Sequence, residues 1–396
     1  MPGHPTASCR SCGTKGLEVF LSLGDLPLAD GFVAEADLAR PDERFPLDVA
    51  LCPSCSLVQL AEALPPERLF GRDYLYFSSY SDTLLDHSRR HALRLISERD
   101  LGPRHLVVEL ASNDGYLLQY FAARGIPVLG IDPAPGPAEV AERRGVPTLR
   151  EFFGLEVARR LRRESGAADV ILANNVLAHV RDLNGFVAGM AELLADDGMV
   201  AIEVPYVRDL VQKDEFDTIY HEHLCYFSVS SLVPLFARHG LVLDRVETLP
   251  IHGGSIRLRV VRRARPDGSV ERHLADEAKS GLATISAYRD FARRVESLRA
   301  ELRRLLDDLR TGGKRLAGYG APAKGTILLN YVGTDAGEIE FVVDRNVHKQ
   351  GRWVPGVRIP IRSPDRLLET MPDCAILLPW NFQAEILAQQ SEYRRR

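Results

Sequence analysis

Four of the six cysteines fall into two identical pairs, Cys9-Arg-Ser-Cys12 and Cys52-Pro-Ser-Cys55, while Cys225 and Cys374 stand alone. Each pair puts two thiolates on one tight turn, and two such turns complete a tetrahedral shell around zinc. Four sulfur ligands leave no open coordination position, so the expected metal is structural rather than catalytic. The 39 residues between Cys12 and Cys52 are more than a simple zinc ribbon needs, so they must form a small structure of their own. The alternatives are two disulfides, which a reducing compartment disfavours, a redox pair, or four plain thiols. Neither pair opens a helix of a βαβ unit, as a redox CxxC does.

A second cluster is Tyr220-His221-Glu222-His223, behind the acidic segment Asp214-Glu215-Phe216-Asp217. It lacks the i, i+4 histidine pair of a zinc-binding helix, so acid–base chemistry is the better reading than a metal. An imidazole accepts a proton near neutrality, an adjacent carboxylate can orient it, and a phenol can donate to it. His179 ends the run Asn174-Asn-Val-Leu-Ala-His179 and can reach the same cleft. Inert histidines are the plain alternative.

A third set surrounds a strand-to-turn junction, Glu109-Leu-Ala-Ser112-Asn113-Asp114-Gly115. Open α/β sheets bind ligands at the carboxyl ends of their strands, where a turn of small residues lets backbone approach the ligand. The next strand ends at Asp132, about 20 residues on, where a carboxylate can accept both hydroxyls of a ribose. The turn lacks the GxGxxG that a pyrophosphate requires, and Glu109 would repel phosphate. Acids suit a sulfonium and an amino acid, so S-adenosylmethionine fits better than NAD. An ordinary strand–turn–helix connection remains the alternative. His252-Gly-Gly-Ser255 with Arg257, and Gly318-Tyr319-Gly-Ala-Pro-Ala-Lys324-Gly325, are glycine-rich turns whose backbone donors and cations can hold an anion. Only six lysines occur among 50 basic residues, yet Lys324 and Lys349 both lie beside strand ends. No P-loop is present, so ATP hydrolysis is not indicated, and Lys324 could equally be a solvated lysine on a tight turn.

These groups need elements to hold them. Residues 83–100 read as a helix. From there strands and helices alternate: LVVEL, a helix over 115–125, PVLGID, ADVILAN, a helix over 182–195, and GMVAIEVPY. LVLDRVETLP and SIRLRVVRRA pair as an antiparallel hairpin at a sheet edge. Together they predict a doubly wound α/β domain. Residues 270–311 carry no proline, and Val295, Leu298, Leu302, Leu305, Leu306 and Leu309 recur at threes and fours. One long amphipathic helix stopped by Gly312 and Gly313 is expected to join two lobes. Beyond it, the runs around Tyr319, EIEFVVDRN and CAILLPW predict a second, shorter βαβ series.

Composition removes several classes of function. The 396 residues are 45% hydrophobic and 26% charged, with a formal net charge of −4. Two or three globular domains follow, without the basic surplus of a nucleic-acid binder. No apolar run spans a bilayer and no cationic-then-apolar leader opens the chain, so a cytoplasmic protein without nucleic acid or membrane as partner is expected.

With the motifs above, GDLPLADGF (24–32), YLYFSSYSD (74–82), NNVLAHV (174–180), EFDTIYHEHLCYFS (215–228) and DRNVHKQG (344–351) complete a set in one order. As a set, they resemble the S-adenosylmethionine-dependent C-methyltransferases that build branched deoxysugars on thymidine diphosphate, over essentially the whole chain. The resemblance implies a zinc-binding module at 1–70, a class I (Rossmann-like) methyltransferase domain at 71–265, a connecting helix at 266–312 and a smaller α/β Rossmann-like lobe at 313–396. It implies methylation at C3 of a dTDP-linked 4-keto-deoxysugar by a monomer, with structural Zn²⁺ on Cys9, Cys12, Cys52 and Cys55. His223 is the implied base, with Glu222 orienting or polarising it and Tyr220, Tyr74 or His179 stabilising the enolate oxygen. Glu109, Ser112, Asn113, Asp114, Gly115, Asp132 and Asn174 are the implied cofactor residues, and Tyr76, Ser255, Arg257, Tyr319, Lys324 and Lys349 the substrate residues. The chain ends at YRRR, where family members continue into a glycine-rich turn and a last strand, so the expectation is either a truncated gene product or a C-terminal sheet lacking an edge. Rival readings are an N- or O-methyltransferase on a nucleotide-linked sugar, which needs no enolate, and a non-catalytic nucleotide-sugar binder.

Overall fold

The computed structural model describes residues 8–69 and 77–396. Tyr74 and Tyr76 lie outside the described residues. Among the described residues, three sheets account for the strands. The first pairs Glu18–Pro27 (β1), Arg44–Leu51 (β2) and Val58–Leu60 (β3) antiparallel. The second is built mainly from Val107–Leu110 (β4), Val128–Ile131 (β5), Thr148–Leu149 (β6), Ala168–Asn174 (β7) and Leu194–Pro205 (β8). Cys225–Tyr226 (β9) leaves this central region and pairs with β3, adding a fourth strand to the first sheet. Val242–Leu249 (β10) and Ser255–Val261 (β11) then close one edge of the second sheet.

The order of the central sheet is β10-β11-β8-β7-β4-β5-β6, with β6 through β8 parallel and the last two antiparallel. The expected edge hairpin and doubly wound sheet are both present. The chain runs outward from β4 to β6 and returns on the other side of β4 at β7. That reversal opens a crevice at the strand ends, where open α/β sheets hold ligands. β4 and the apolar stretch of β7 are buried on both faces, as parallel strands covered by helices must be.

The third sheet is all parallel: Leu316–Tyr319 (β12), Ile339–Val343 (β13), Ile361–Arg362 (β14) and Cys374–Leu377 (β15), in the order β14-β13-β12-β15. No described helix is long and apolar enough to cross a membrane.

Two helices differ from expectation. Of the helix expected over 115–125, only the single α-helical turn Gln119–Ala122 forms. Bonds to carbonyls four residues back (Gln119 to Gly115, Ala122 to Leu118) alternate there with bonds three residues back (Tyr120 to Leu117, Phe121 to Leu118), so the segment is a short helix with tightly wound ends. Gly115 starts it at φ +76°, where a Cβ would sit 3.2 Å from Val146 and 3.3 Å from Ala141. The long stretch 270–311 is two helices, Ser269–Lys279 and Ile285–Thr311, parted at Gly281 with φ +68°. In the second helix Tyr288, Phe291, Val295 and Leu306 are buried, while Leu305, expected on the apolar stripe, is exposed.

Candidate active site

The segment that carries the histidine cluster is pinned from two sides. Leu60 N donates to Leu224 O (3.0 Å) from the cysteine-bearing sheet, and Leu224 N donates to Ala178 O (2.7 Å) at the end of β7. His223 therefore meets His179 across the crevice, with ring centroids 4.8 Å apart. His223 Nδ1 lies 2.9 Å from Thr218 O and Nε2 2.7 Å from Tyr220 Oη. A carbonyl only accepts, so Nδ1 carries the hydrogen and Nε2 holds the lone pair, accepting from Tyr220. Burial, then the neighbouring His179 and Lys324, hold His223 well below the usual histidine range, and burial pushes His179 down to about 4. Both rings are neutral at pH 7.

Glu222, expected to orient or polarise His223, faces elsewhere. Its buried carboxyl lies beside that of Asp30, a residue of the loop after β1, and Lys349 Nζ stands 3.9 Å from Asp30 Oδ1. Burial first, then Asp30, raises Glu222 well above the carboxylate range. The imidazole is oriented instead by the Thr218 carbonyl, a backbone contact with no signature in residue types.

These groups border one cavity of about 710 Å³, walled by all three sheets' loops. Asn113, Asp132 and Asn174 line its central-sheet side. Asp132 accepts from Asn113 N (2.8 Å) and Ala134 N (2.8 Å), and burial pushes it up to about 6. Ala111 and Asn113 are left-handed at φ +56° and +48°, the conformation that folds the turn back over the strand end. Glu109, Ser112, Asp114 and Gly115 do not border the cavity; they build the turn from beneath. Glu109 is wholly buried, and burial with Asp132 and Asp114 raises it well above its ordinary value. Asp114 is held by Ser79 Oγ and by Arg144 (3.2 Å). Ser112 packs against Gly130, where a Cβ would meet its Oγ. Asn174 Oδ1, enclosed and without a partner among the described residues, and the Asp132 carboxylate share the cavity with Phe77 and Phe152, a lining that suits a nucleoside bearing an amino acid.

Tyr319, Lys324 and Lys349 line the opposite wall. Lys324 Nζ donates to Asn381 Oδ1 (2.9 Å) and lies 4.1 Å from the Trp380 ring, and burial lowers its pKa. Ser255 and Arg257 are not at the cavity. The β8–β11 register sets Arg257 opposite Glu203, and their side chains pair at 2.5 Å with His87 bonded to the same carboxylate at 2.8 Å. Desolvation would raise Glu203, but His87 and Arg257 outweigh it and hold the carboxyl at about 2. Ser255 Oγ donates to Ile251 O. Asp30 and Glu215 border the cavity although no site role is expected for them, and so does His252 of the expected anion-binding turn. Their motifs were visible, but nothing in residue spacing says which side chain faces inward.

The four cysteine sulfurs lie within 4.8 Å of one another, with Cys9–Cys55 at 3.6 Å and Cys12–Cys52 at 3.5 Å. These are not disulfide lengths. A tetrahedron with Zn–S bonds of about 2.3 Å has sulfur–sulfur edges of about 3.8 Å, so the set fits a zinc ion.

Three family models match successive parts of the chain. Residues 9–70 match the family described as "Putative zinc binding domain", 84–246 a "Methyltransferase domain" and 250–396 a "C-methyltransferase C-terminal domain". The chain is 39% identical to C-methyltransferase NovU of Streptomyces niveus over 395 residues, covering 98% of this chain and 93% of that one. Among solved structures, magnesium protoporphyrin IX methyltransferase of Synechocystis PCC 6803 with bound SAH matches 45% of this chain and 83% of its own, at 16% identity and TM-score 0.36. A SAM-dependent methyltransferase of Anabaena variabilis ATCC 29413 matches 47% and 93%, at 16% identity and TM-score 0.35. By its near full-length likeness to NovU and its three matching domains, the chain belongs to the S-adenosylmethionine-dependent C-methyltransferase family.

Proposed function

We propose that the protein methylates C3 of a dTDP-linked 4-keto-deoxysugar, with His223 as the base that makes C3 nucleophilic. The observation that carries this reading is the tautomer of His223: a neutral imidazole, fixed at Nδ1 by Thr218 O, whose Nε2 lone pair is directed at a phenol on the cavity wall. Carbon is a poor nucleophile until a proton is removed beside a carbonyl, and the 4-keto group supplies that acidity. Nε2 takes the C3 proton as Tyr220 Oη releases it, and the electron pair moves onto the 4-oxygen. Tyr220 and His179 then face the developing enolate as hydrogen-bond donors, the stabilisation that costs least in a dry, preorganised site. S-Adenosylmethionine supplies the electrophilic methyl group. Asn113, Asp132 and Asn174 hold that cofactor on the central-sheet wall, and Tyr319, Lys324 and Lys349 hold the nucleotide sugar on the other.

The four cysteines bind structural Zn²⁺. Its role is to brace the module whose strand β3 pairs with β9, two residues past His223. Four reduced thiolates support a cytoplasmic setting.

The test is incubation with S-adenosylmethionine and a panel of dTDP-4-keto sugars, reading product mass and the position of the new methyl by NMR. A single methyl at C3 is expected. Methylation confined to nitrogen or oxygen would overturn the reading.

A further inference from the structure

Glu215 is 7% exposed, borders the cavity, and its Oε1 is enclosed without a hydrogen-bond partner among the described residues. A buried carboxyl oxygen without a hydrogen bond carries a desolvation penalty that nearby charges offset only in part. Its charged neighbours are engaged elsewhere. Lys213 Nζ bonds Asp209 (2.9 Å) and the Gly253 carbonyl, Lys324 bonds Asn381, and Asp217 accepts from Trp380 Nε1 (2.7 Å). The fold also clears room for this carboxylate. Gly253 sits at φ +94°, and a Cβ there would lie 2.6 Å from Glu215 Oε1 and 2.7 Å from Oε2.

Glu215 shares a turn with the groups that orient the base. Thr218 Oγ1 donates to Glu215 O (2.7 Å), and Thr218 O accepts from His223 Nδ1 (2.9 Å). A substrate atom bound to Glu215 is thus held in fixed relation to the carbon that His223 deprotonates.

We propose that Glu215 is a specificity subsite that accepts a hydrogen bond from a hydroxyl or amino substituent on the reacting C3 of the sugar. This rests on the reaction proposed above. Sites built to bond a substrate donor reject analogues lacking it strongly, because the protein group is left unpaired in the complex. Burial, opposed by Lys213 and Lys324, brings the Glu215 carboxyl up to about 7, a value that a donor in the cavity would draw down again.

The experiment compares kcat/KM for three dTDP-4-keto sugars, bearing a C3 hydroxyl, a C3 amine or no C3 heteroatom, in wild type, Glu215→Leu and Glu215→Gln, with Tm of each free protein. The Leu variant should lose about 10- to 100-fold more on the donor-bearing sugar the enzyme uses than on the 3-deoxy sugar. Its Tm should hold or rise, since an orphaned carboxyl is removed. Rescue by Gln on a hydroxyl sugar identifies hydroxyl as the donor, and failure of Gln on an amino sugar identifies the ammonium. Equal losses on all three sugars, or a fall in Tm that accounts for the loss, would overturn the subsite. C3 deuterium exchange in wild type keeps the two readings apart: its absence sinks the base, whereas exchange without discrimination by Glu215 sinks only the subsite.

Discussion

Replacing His223 by asparagine removes the Nε2 lone pair while keeping a small amide that can still donate toward Thr218. A positioned general base contributes about 10²- to 10⁴-fold, so kcat should fall by that factor, about 2.7–5.5 kcal/mol of barrier. The structural cost is smaller. The imidazole makes two hydrogen bonds, at 2.7 and 2.9 Å, and the variant leaves Tyr220 Oη without its acceptor, a loss of about 1–3 kcal/mol of stability. Cofactor affinity should stay near the wild-type value, since Asn113, Asp132 and Asn174 stand on other elements. The assay is C3–H deuterium exchange on a dTDP-4-keto sugar without methyl donor, beside calorimetric titration of S-adenosylmethionine. Because His223 lies well below the usual histidine range, its neutral form persists through pH 6.5–8, and wild-type exchange should weaken only on further acidification. Exchange at the wild-type rate in the variant would refute the reasoning. So would loss of cofactor binding, which would make the residue a scaffold.

Two further predictions concern stability. His91, 2% exposed on the helix Asp82–Arg99, has no hydrogen-bond partner on either ring nitrogen among the described residues, and burial followed by Arg257 lowers it to about 3. Below pH 6.5 the unfolded chain takes up a proton that the folded one refuses, so stability is lost as pH falls from 6.5 toward 3. His91→Leu should cancel this loss, gaining about 2 kcal/mol on wild type between pH 7.5 and pH 5 in urea unfolding; equal losses in both proteins would contradict it. At the cysteine cluster, metal analysis should find about one zinc per chain, and Cys12→Ser should lose it and lower Tm. An unchanged Tm in a zinc-free variant would rule out a structural metal.

Residue types and spacing alone were enough for the paired cysteines, the strand–turn carrying Asn113 with Asp132 about 20 residues on, the YHEH cluster and the doubly wound sheet. Each is a local signal: a ligand spacing, a period, or a turn that only certain residues make. The failures were local too. The helix after Gly115 shortened to Gln119–Ala122, and the stretch 270–311 broke at a left-handed glycine. Tertiary structure alone decided which side chains face one another. It set Glu222 against Asp30 rather than His223, gave the orientation of the base to a backbone carbonyl, and enclosed Arg257 with Glu203 through strand register. It also brought Glu215 and Lys324, more than a hundred residues apart, onto one wall. Period and composition say which face of an element is buried. Pairing between distant segments depends on register and packing, which residue types along one segment do not encode.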